Sequence, residues 1–288
     1  MLFNSASKNM KGYTMPIFSI DQDRCRKDGL CAAVCPRGII RIEVDTTFPE
    51  PAIDADEQCI HCGHCRAVCP HGALSLAKFD PAQWPESDFS LLPSHEQLSQ
   101  LIRGRRSTRA YKSLVVERST IERLINVARY APTARNSQLL QWLVIDSEAE
   151  LNALKNHTIA WMQELVQNKD PRAAAYGFAE VLKAWEEGND PILRGAPSLI
   201  ILHAPAIYPV GIIDSTIAMT TFELTASAEQ IGTCWAGFLI IAIKEWQPLR
   251  DAVSLPDGNV LTTAMMVGYP KYRYTRLPER NAPQIIWR

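Results

Sequence analysis

The chain has 288 residues, of which 47% are hydrophobic, and its formal net charge at pH 7 is −1. A nearly neutral chain of this kind indicates neither a nucleic-acid partner nor a polybasic membrane anchor. No uninterrupted apolar run reaches the ~18 residues of a membrane-spanning helix, so we expect no membrane partner. The length suits about two domains of ~100–200 residues each.

Residues 1–15, MLFNSASKNMKGYTM, lack the apolar core of a secretion signal. We expect a flexible leader here, or a true start at Met15. Seven of the eight cysteines follow at spacings typical of metal ligands rather than disulfides. Because disulfides dominate where cysteines are oxidised, this usage predicts a reducing compartment, and we expect the cytoplasm.

These seven cysteines form two runs that repeat each other. The second run has the spacing C-x2-C-x2-C-x3-C-P of bacterial two-cluster ferredoxins, and it comprises Cys59, Cys62, Cys65, Cys69 and Pro70. In that arrangement, the fourth cysteine ligates the other cluster. The first run keeps three cysteines 34 residues earlier, with one departure from the repeat. Asp28 stands where the second run has Cys62.

The repeat predicts two iron–sulfur clusters. One would be ligated by Cys35, Cys59, Cys62 and Cys65, and the other by Cys25, Cys31, Cys69 and Asp28. The alternatives are structural zinc, which more often uses two separated CxxC pairs, and plain buried cysteines. A carboxylate is a harder ligand than a thiolate, so the iron held at Asp28 should be labile. That cluster would be [4Fe–4S] or [3Fe–4S], and the spacing leaves both open.

The amino-acid composition of the chain changes after the cysteine-rich segment. We predict an iron–sulfur domain over residues 16–80, a proline-rich linker over 81–93 and a larger α+β domain over 94–288. The larger domain should begin with a helix, because Ser94 and Gln97 form a capping box. Ser119 and Glu122 repeat that pattern, with Pro132 beyond the end of the second helix.

Further elements follow in the larger domain. Apolar runs predict strands at Gln141–Ile145, Ser198–Leu202 and Val260–Val267. The stretch Ser215–Ile231 is apolar almost all round, which is typical of a buried helix. Gly232 is placed to cap its C-terminus.

A basic segment follows the first helix of this domain. Three arginines and two hydroxyls lie within five residues, which suits a phosphate group because arginine donates paired, charge-assisted hydrogen bonds. The segment is Arg105, Arg106, Ser107, Thr108 and Arg109. It resembles the R-x-S-x-R-x-[FY] motif at the start of the nitroreductase family. Matches in the family's order follow at residues 131–138, 194–197, 232–238, 267–270 and 276–278. With the cysteine runs, the whole chain resembles ferredoxin-fused nitroreductases.

This resemblance implies a nitroreductase-like α+β fold, a homodimer, and FMN at the subunit interface. The implied cofactor-binding residues are Arg105, Arg106, Ser107, Arg109, Pro132, Thr133, Ala134, Asn136, Gln138, Trp235, Ala236, Gly237 and Arg276. Pro132, Thr133, Ala134 and Asn136 would reach the flavin from the partner subunit. Leu139 and Leu140 depart from the Pro-Trp that many members have after the glutamine.

The resemblance further implies an FMN-dependent oxidoreductase in which the flavin carries the chemistry and no side chain is certain to be catalytic. Electrons would pass between the clusters and FMN to a small organic acceptor, such as a nitroaromatic, a quinone or an activated double bond. The donor would be NAD(P)H, or an external ferredoxin, flavodoxin or hydrogenase. The alternative is an electron-transfer or redox-sensing protein without a dedicated substrate.

Two features leave a structural and a functional interpretation open. Cys234 could be a nucleophile, but free cysteine is among the most buried residue types, so packing is the stronger expectation. The stretch 156–190 could cover the flavin, or it could be ordinary helix packing. Tyr176 and Phe178 are its candidates for lining a substrate pocket.

Overall fold

The computed structural model describes residues 16–80 and 84–288. The predicted leader, and residues 81–83 of the predicted linker, lie outside the described residues. The chain divides into two units. The first runs to Leu92 and includes the short segment Arg135–Ser137. The second comprises Pro93–Ala134 and Gln138–Arg288.

The first unit is built from short elements around the cysteine runs. Strand β1 (Phe18–Ile20) pairs antiparallel with β4 (Leu74–Leu76), and β2 (Ile40–Arg41) pairs antiparallel with β3 (Glu50–Pro51). Its helices are single turns: α1 (Leu30–Ala33), α2 (Ala55–Gln58) and α3 (His64–Ala67). A small core made largely of isoleucine, leucine and cysteine side chains holds these elements together.

The sequence repeat is also a structural repeat. Helices α1 and α3 each follow a glycine, Gly29 or Gly63, in the left-handed conformation with φ of 74°. Later in each copy, the N–H of Gly38 donates to Cys35 O, and the N–H of Gly72 donates to Cys69 O, both at 3.1 Å. The first unit therefore uses one backbone design twice.

The second unit contains a four-stranded antiparallel sheet. Its strands are β5 (Gln141–Ile145), β6 (Ser198–Pro205), β7 (Gly232–Trp235) and β8 (Asn259–Gly268), in the order β5-β6-β8-β7. The three strands predicted from apolar runs are confirmed, although β6 extends three residues further than expected. The register of β6 against β8 shifts between Leu202 and His203.

Helices cover both faces of this sheet. In chain order they are α4 (His95–Gly104), α5 (Arg118–Ala128), α6 (Glu148–Gln167), α7 (Pro171–Ala175), α8 (Phe178–Glu186), α9 (Gly211–Ala228), α10 (Gly237–Ala242) and α11 (Gln247–Val253). Alternate residues of β6 enter different cores, because successive side chains of a strand point to opposite faces. Leu199 and Ile201 join one core, while Ile200 and Leu202 join the other. Among the described residues, no helix combines the length and the apolar character needed to cross a membrane.

The helix boundaries confirm one prediction and correct another. The capping box of Ser94 and Gln97 is formed at the start of α4. The second predicted capping box is wrong, because α5 begins at Arg118 with Glu117 as its N-cap. Arg118 donates Nε and Nη2 to the two carboxylate oxygens of Asp146 at 2.8 and 3.0 Å. That ion pair attaches the first turn of α5 to the residue that follows β5. Because the helix begins at Arg118, Ser119 lies inside it.

The long apolar helix also differs from its prediction. It starts earlier, at Gly211, and ends at Ala228, so Gly232 is the first residue of β7 and not a C-cap. Gln230, at φ of 59°, is the left-handed residue in the turn between the two elements. Only one face of α9 is buried in this chain; Ile212 and Ile213 on the other face are 61% and 60% exposed.

Candidate functional site

Four cysteines of the first unit surround one cavity of about 430 Å³. They are Cys35, Cys59, Cys62 and Cys65, the set predicted to ligate the first cluster. Much of the remaining lining is apolar, including Ile17, Phe18 and Leu76, while His61 and His64 lie at the same cavity. Soft thiolate donors around a largely apolar space fit an iron–sulfur cluster. In the described part of the chain, no three His, Cys, Asp or Glu side chains converge as a single metal ion would require.

The remaining three cysteines of the repeat line a second cavity of about 330 Å³. Cys25, Cys31 and Cys69 are joined there by Asp28, as the exchange of the fourth ligand predicts. Asp28 is exposed, and its Oδ1 accepts the N–H of Leu30 at 3.1 Å. Solvent can therefore reach Asp28, although this residue also lines the cavity.

Burial raises the pKa of two thiols at the first cavity. Desolvation raises the pKa of Cys65 to about 11, although its hydrogen bond to the Arg66 backbone acts in the opposite direction. Burial likewise raises the pKa of Cys59, whose Sγ accepts the N–H of His61 at 3.4 Å. A buried thiolate needs a positive partner, and bound iron would supply one.

The segment Arg135–Ser137 belongs to the first unit because of its contacts there. Asn136 donates Nδ2 to the carbonyls of Ile60 and His61, at 3.1 and 3.0 Å. These two carbonyls lie between Cys59 and Cys62, so this amide braces the loop that carries two predicted cluster ligands. The flavin contact predicted for Asn136 stays a prediction.

In the second unit, the basic segment lies directly beside strand β7. The N–H of Thr108 donates to Thr233 O at 2.8 Å, and Ser107 forms a parallel bridge with Thr233. Gly232 permits this approach, because an added Cβ would lie 2.8 Å from Thr108 Cβ. Two sequence motifs separated by more than a hundred residues are thus brought together.

The three arginines of this segment have different environments. Arg105 Nη1 lies 2.9 Å from Glu223 Oε1, and Glu223 is a buried carboxylate of α9 that the sequence analysis missed. Arg106 is half-buried, and its Nε is buried with no hydrogen-bond partner among the described residues. Burial, followed by the charges of Arg280 and Arg105, lowers the pKa of Arg106. Arg109 is exposed. An unpaired buried guanidinium N–H beside other cations fits a site that binds an anion.

The predicted flavin-side segment follows at the end of β7. Trp235 ends the strand, Ala236 is buried, and Gly237 begins α10. The N–H of Ala236 donates to Ala264 O at 3.0 Å, so that donor is used within the protein. A Cβ added to Gly237 would meet nothing within 4 Å, and its φ is not in the left-handed range. Open space therefore lies in front of this backbone.

The loop that carries the other predicted flavin contacts is held by side chains. Asp214 on α9 accepts the N–H of Ala134 at 3.0 Å and also the hydroxyl of Tyr208. Thr133 Oγ1 accepts the N–H of Gln138 at 3.1 Å. Pro132 and Ala134 are exposed, and Arg276 is exposed in the segment after β8. Arg280 acts on Arg106 through its charge, which the sequence analysis did not anticipate.

Cys234 has the environment of a packing residue. It is 6% exposed within the core of the second unit. Burial raises the pKa of its thiol, although the charges of Arg109 and Arg194 act in the opposite direction. A thiol with a raised pKa is a poor nucleophile at neutral pH.

The stretch 156–190 is helical, and most of its aromatic residues are core residues. Phe178 is fully buried, with its ring packed against those of Trp161, Tyr176 and Phe238 at 5.3, 5.7 and 5.9 Å between centroids. Phe178 thus has the packing role rather than the pocket-lining one. Tyr176 is 48% exposed and stays a candidate for substrate contact.

Comparison with known families gives two matches. Residues 102–269, more than half of the chain, match the nitroreductase family. Residues 24–73 match the 4Fe-4S dicluster domain. The two matched regions contain the basic segment with β7 and the two cysteine runs, respectively.

Individual relatives match the larger region. A protein of Archaeoglobus fulgidus, whose name suggests an NADH dehydrogenase or NAD(P)H nitroreductase, is 26% identical over 61% of this chain and 87% of its own length. An FMN-bound nitroreductase structure from Desulfitobacterium hafniense has a TM-score of 0.53 at 18% identity, over 64% of this chain and 94% of that one. One from Bacteroides fragilis, also with FMN, has a TM-score of 0.53 at 17% identity, over 66% and 99%. These structures share the fold of the second unit.

Proposed function

This chain belongs to the nitroreductase family and carries a 4Fe-4S dicluster domain before the family region, and from that premise we propose an FMN-dependent oxidoreductase. Electrons would pass between two iron–sulfur clusters and FMN to reduce a small organic acceptor. The strongest support is the pairing of the basic segment with β7, because it joins a cationic, hydroxyl-bearing group to the open backbone at Gly237.

The two cluster sites are assigned to the residues that line the two cavities. Cys35, Cys59, Cys62 and Cys65 would hold one cluster through four thiolates. Cys25, Cys31 and Cys69 would hold the other, with the Asp28 carboxylate as its fourth ligand. The exposure of Asp28 supports a fourth corner from which iron is easily lost, because water can compete with the carboxylate there.

The FMN site is assigned to residues of the second unit. FMN, when bound, supplies chemistry that handles both one-electron and two-electron transfers. Arg105, Arg106, Ser107 and Arg109 would bind its phosphate and pyrimidine side, and the orphaned Arg106 Nε supports this. Trp235, Ala236 and Gly237 would lie along its ring system. Arg276 would approach the phosphate from the C-terminal segment.

We also propose a homodimer with FMN at the subunit interface. Exposed isoleucines on and beside α9 support this, since clustered exposed apolar side chains commonly mark interfaces. They are Ile207, Ile212, Ile213 and Ile217, of which Ile207 is 85% exposed. In such a dimer, Pro132, Thr133, Ala134 and Asn136 would reach the partner's flavin.

Two kinds of donor fit this assignment. Reduced ferredoxin, flavodoxin or hydrogenase would deliver electrons one at a time, which suits the clusters. NAD(P)H would deliver hydride directly, as the name of the archaeal relative suggests for that protein. An anaerobic absorbance titration separates them: NADH, NADPH and then enzymatically reduced ferredoxin are added in turn.

The spectra give distinct outcomes. Bleaching of the flavin band by NADH or NADPH would show that the flavin accepts hydride directly. The clusters would then pass electrons from FMN to an external acceptor, or bring electrons from a second donor. Bleaching of clusters and flavin by reduced ferredoxin alone would make the first unit the inlet. Electron exchange without saturable reduction of any nitroaromatic, quinone or enone would instead indicate an electron carrier. A protein that binds no FMN would refute the proposal.

A further inference from the structure

A buried carboxylate lies beside the candidate FMN site. Glu223 is 5% exposed and sits on α9 among the apolar residues of one core, next to the fully buried Phe222. Its Oε1 lies 2.9 Å from Arg105 Nη1. The nearest member of the basic segment is therefore tied to a distant helix through one terminal nitrogen of its guanidinium.

The same oxygen has a second donor. Thr233 Oγ1 lies 3.3 Å from Glu223 Oε1, and Thr233 is 2% exposed. The backbone carbonyl of Thr233 accepts the N–H of Thr108. The Glu223 carboxylate thus connects α9 with strand β7 and with the basic segment. It contacts the basic segment directly through the Arg105 side chain, and indirectly through Thr233, whose carbonyl binds the Thr108 backbone.

Stability alone does not explain why Glu223 is buried in this ion pair, in which the side chains of Arg105 and Glu223 are 26% and 7% exposed. Removing a carboxylate from water is costly, and well-packed apolar residues of similar volume are often as stable or more so. A buried carboxylate beside the candidate ligand site is better explained by what it does to the orientation of the arginine. Arginine has five N–H donors in a rigid fork, so fixing one terminal nitrogen orients the others.

We propose that Glu223 is a positioning residue for the FMN site and acts through Arg105. It holds Nη1, so that the rest of the guanidinium keeps one orientation toward the cofactor before the cofactor arrives. It also offsets one of the three positive charges of the basic segment, which lowers their mutual repulsion in the empty site. This inference rests on the proposed function, because it takes FMN as the ligand.

FMN affinity of flavin-free full-length protein tests the proposal through quenching of flavin fluorescence. Glu223→Gln keeps the shape and an acceptor oxygen, so we expect Kd to rise about threefold; Glu223→Ala should raise it about tenfold, the equivalent of one charge-assisted hydrogen bond. In an Arg105→Ala background, neither substitution should change Kd further. Cluster absorbance should be the same in all variants.

Glu229→Gln is the matched control, since Glu229 follows the same helix but pairs with Arg123 of α5 and not with the basic segment; its Kd should equal that of the wild type. The proposal is overturned if the Glu223 variants bind FMN as tightly as the wild type does, or if their effect persists in full without Arg105. A wild-type protein that binds no FMN would refute the proposed function itself, which is a different outcome. Because Glu223→Gln is isosteric, it keeps the test valid if Glu223→Ala does not fold.

Discussion

Asp28 and Cys62 occupy equivalent positions in two copies of one backbone turn. The residue before each, Lys27 or His61, has a φ of 57° or 50°, and the glycine after each has a φ of 74°. The backbone is thus the same in both copies, while the side chain has changed from a thiol to a carboxylate. Asp28 is the point at which the two proposed cluster sites differ in chemistry.

Asp28→Cys should therefore complete a four-thiolate site without a change of fold. We expect two [4Fe–4S] clusters in this variant, with about eight iron atoms per chain and without any [3Fe–4S] EPR signal that the oxidised wild type shows. Asp28→Asn is the control, because it keeps the acceptor for the Leu30 N–H but removes the carboxylate. An Asn variant with wild-type [4Fe–4S] content after incubation with iron and reductant would show that Asp28 is not a ligand.

Gly232 begins β7 and Gly237 follows it, and alanine at these two positions should affect the stability of the flavin-free protein differently. At Gly232, a new methyl group would collide with Thr108, with 2.8 Å separating the two Cβ atoms. Gly232→Ala should lower the free energy of unfolding by about 1–3 kcal/mol, the usual effect of overpacking, and should weaken FMN binding as the basic segment moves. Urea denaturation of the flavin-free protein measures the first effect; an unchanged denaturation midpoint would contradict the close approach.

Gly237→Ala should leave the stability of the flavin-free protein unchanged or slightly higher, because its new methyl group meets no protein atom within 4 Å. If the flavin ring lies along this backbone, the methyl group occupies the ligand's space. FMN affinity should then fall by about tenfold or more, corresponding to at least ~1.4 kcal/mol. If this variant binds FMN as tightly as the wild type does, the ring system does not lie along Gly237. That conclusion holds whatever the result for Gly232→Ala.

The sequence alone predicted the structure correctly where a few neighbouring residues determine it. The two sets of residues that the cysteine repeat predicts as cluster ligands line two separate cavities, and the capping box of Ser94 and Gln97 predicted the start of α4. The apolar run at Gln141–Ile145 predicted the bounds of β5. Each of these depends on a few neighbouring residues whose chemistry is set by spacing.

Prediction from the sequence failed where residues distant along the chain determine the local structure. Gly232 resembles a helix cap, yet it is needed because Thr108, remote in sequence, packs against it. The role of Glu223 within an apolar helix could not be predicted from its neighbours, since its partner Arg105 lies 118 residues away. A charged residue inside an otherwise buried helical pattern is the one sequence feature that could have pointed to it, because such charges are rarely buried without a partner.

Asp214 should control the order of the loop around Ala134. The backbone there is unfavourable, since Arg135, Asn136 and Gln138 all have φ between 50° and 53°, and such residues persist only when their surroundings hold them. Asp214→Ala removes the acceptor for the Ala134 N–H and the Tyr208 hydroxyl. We expect faster hydrogen exchange at the backbone amides of residues 133–138 and a stability loss of about 1–3 kcal/mol. Asp214→Asn, which keeps an acceptor oxygen, should lose less; exchange confined to other segments would contradict this role.

Cys234→Ala should keep the reductase activity and the FMN affinity within about twofold of the wild type, since a thiol whose pKa is raised by burial is mostly protonated at neutral pH. The stability cost should be modest, about 1 kcal/mol, because only one buried sulfur atom is removed. Native protein should also react slowly with iodoacetamide at Cys234 at pH 7, and quickly after denaturation, as peptide mass spectrometry would reveal. The charges of Arg109 and Arg194 favour the thiolate but rank below burial in their effect on this pKa. A variant that keeps its flavin and clusters yet loses activity by a hundredfold would reverse this assignment, because only a reacting thiol would account for that combination.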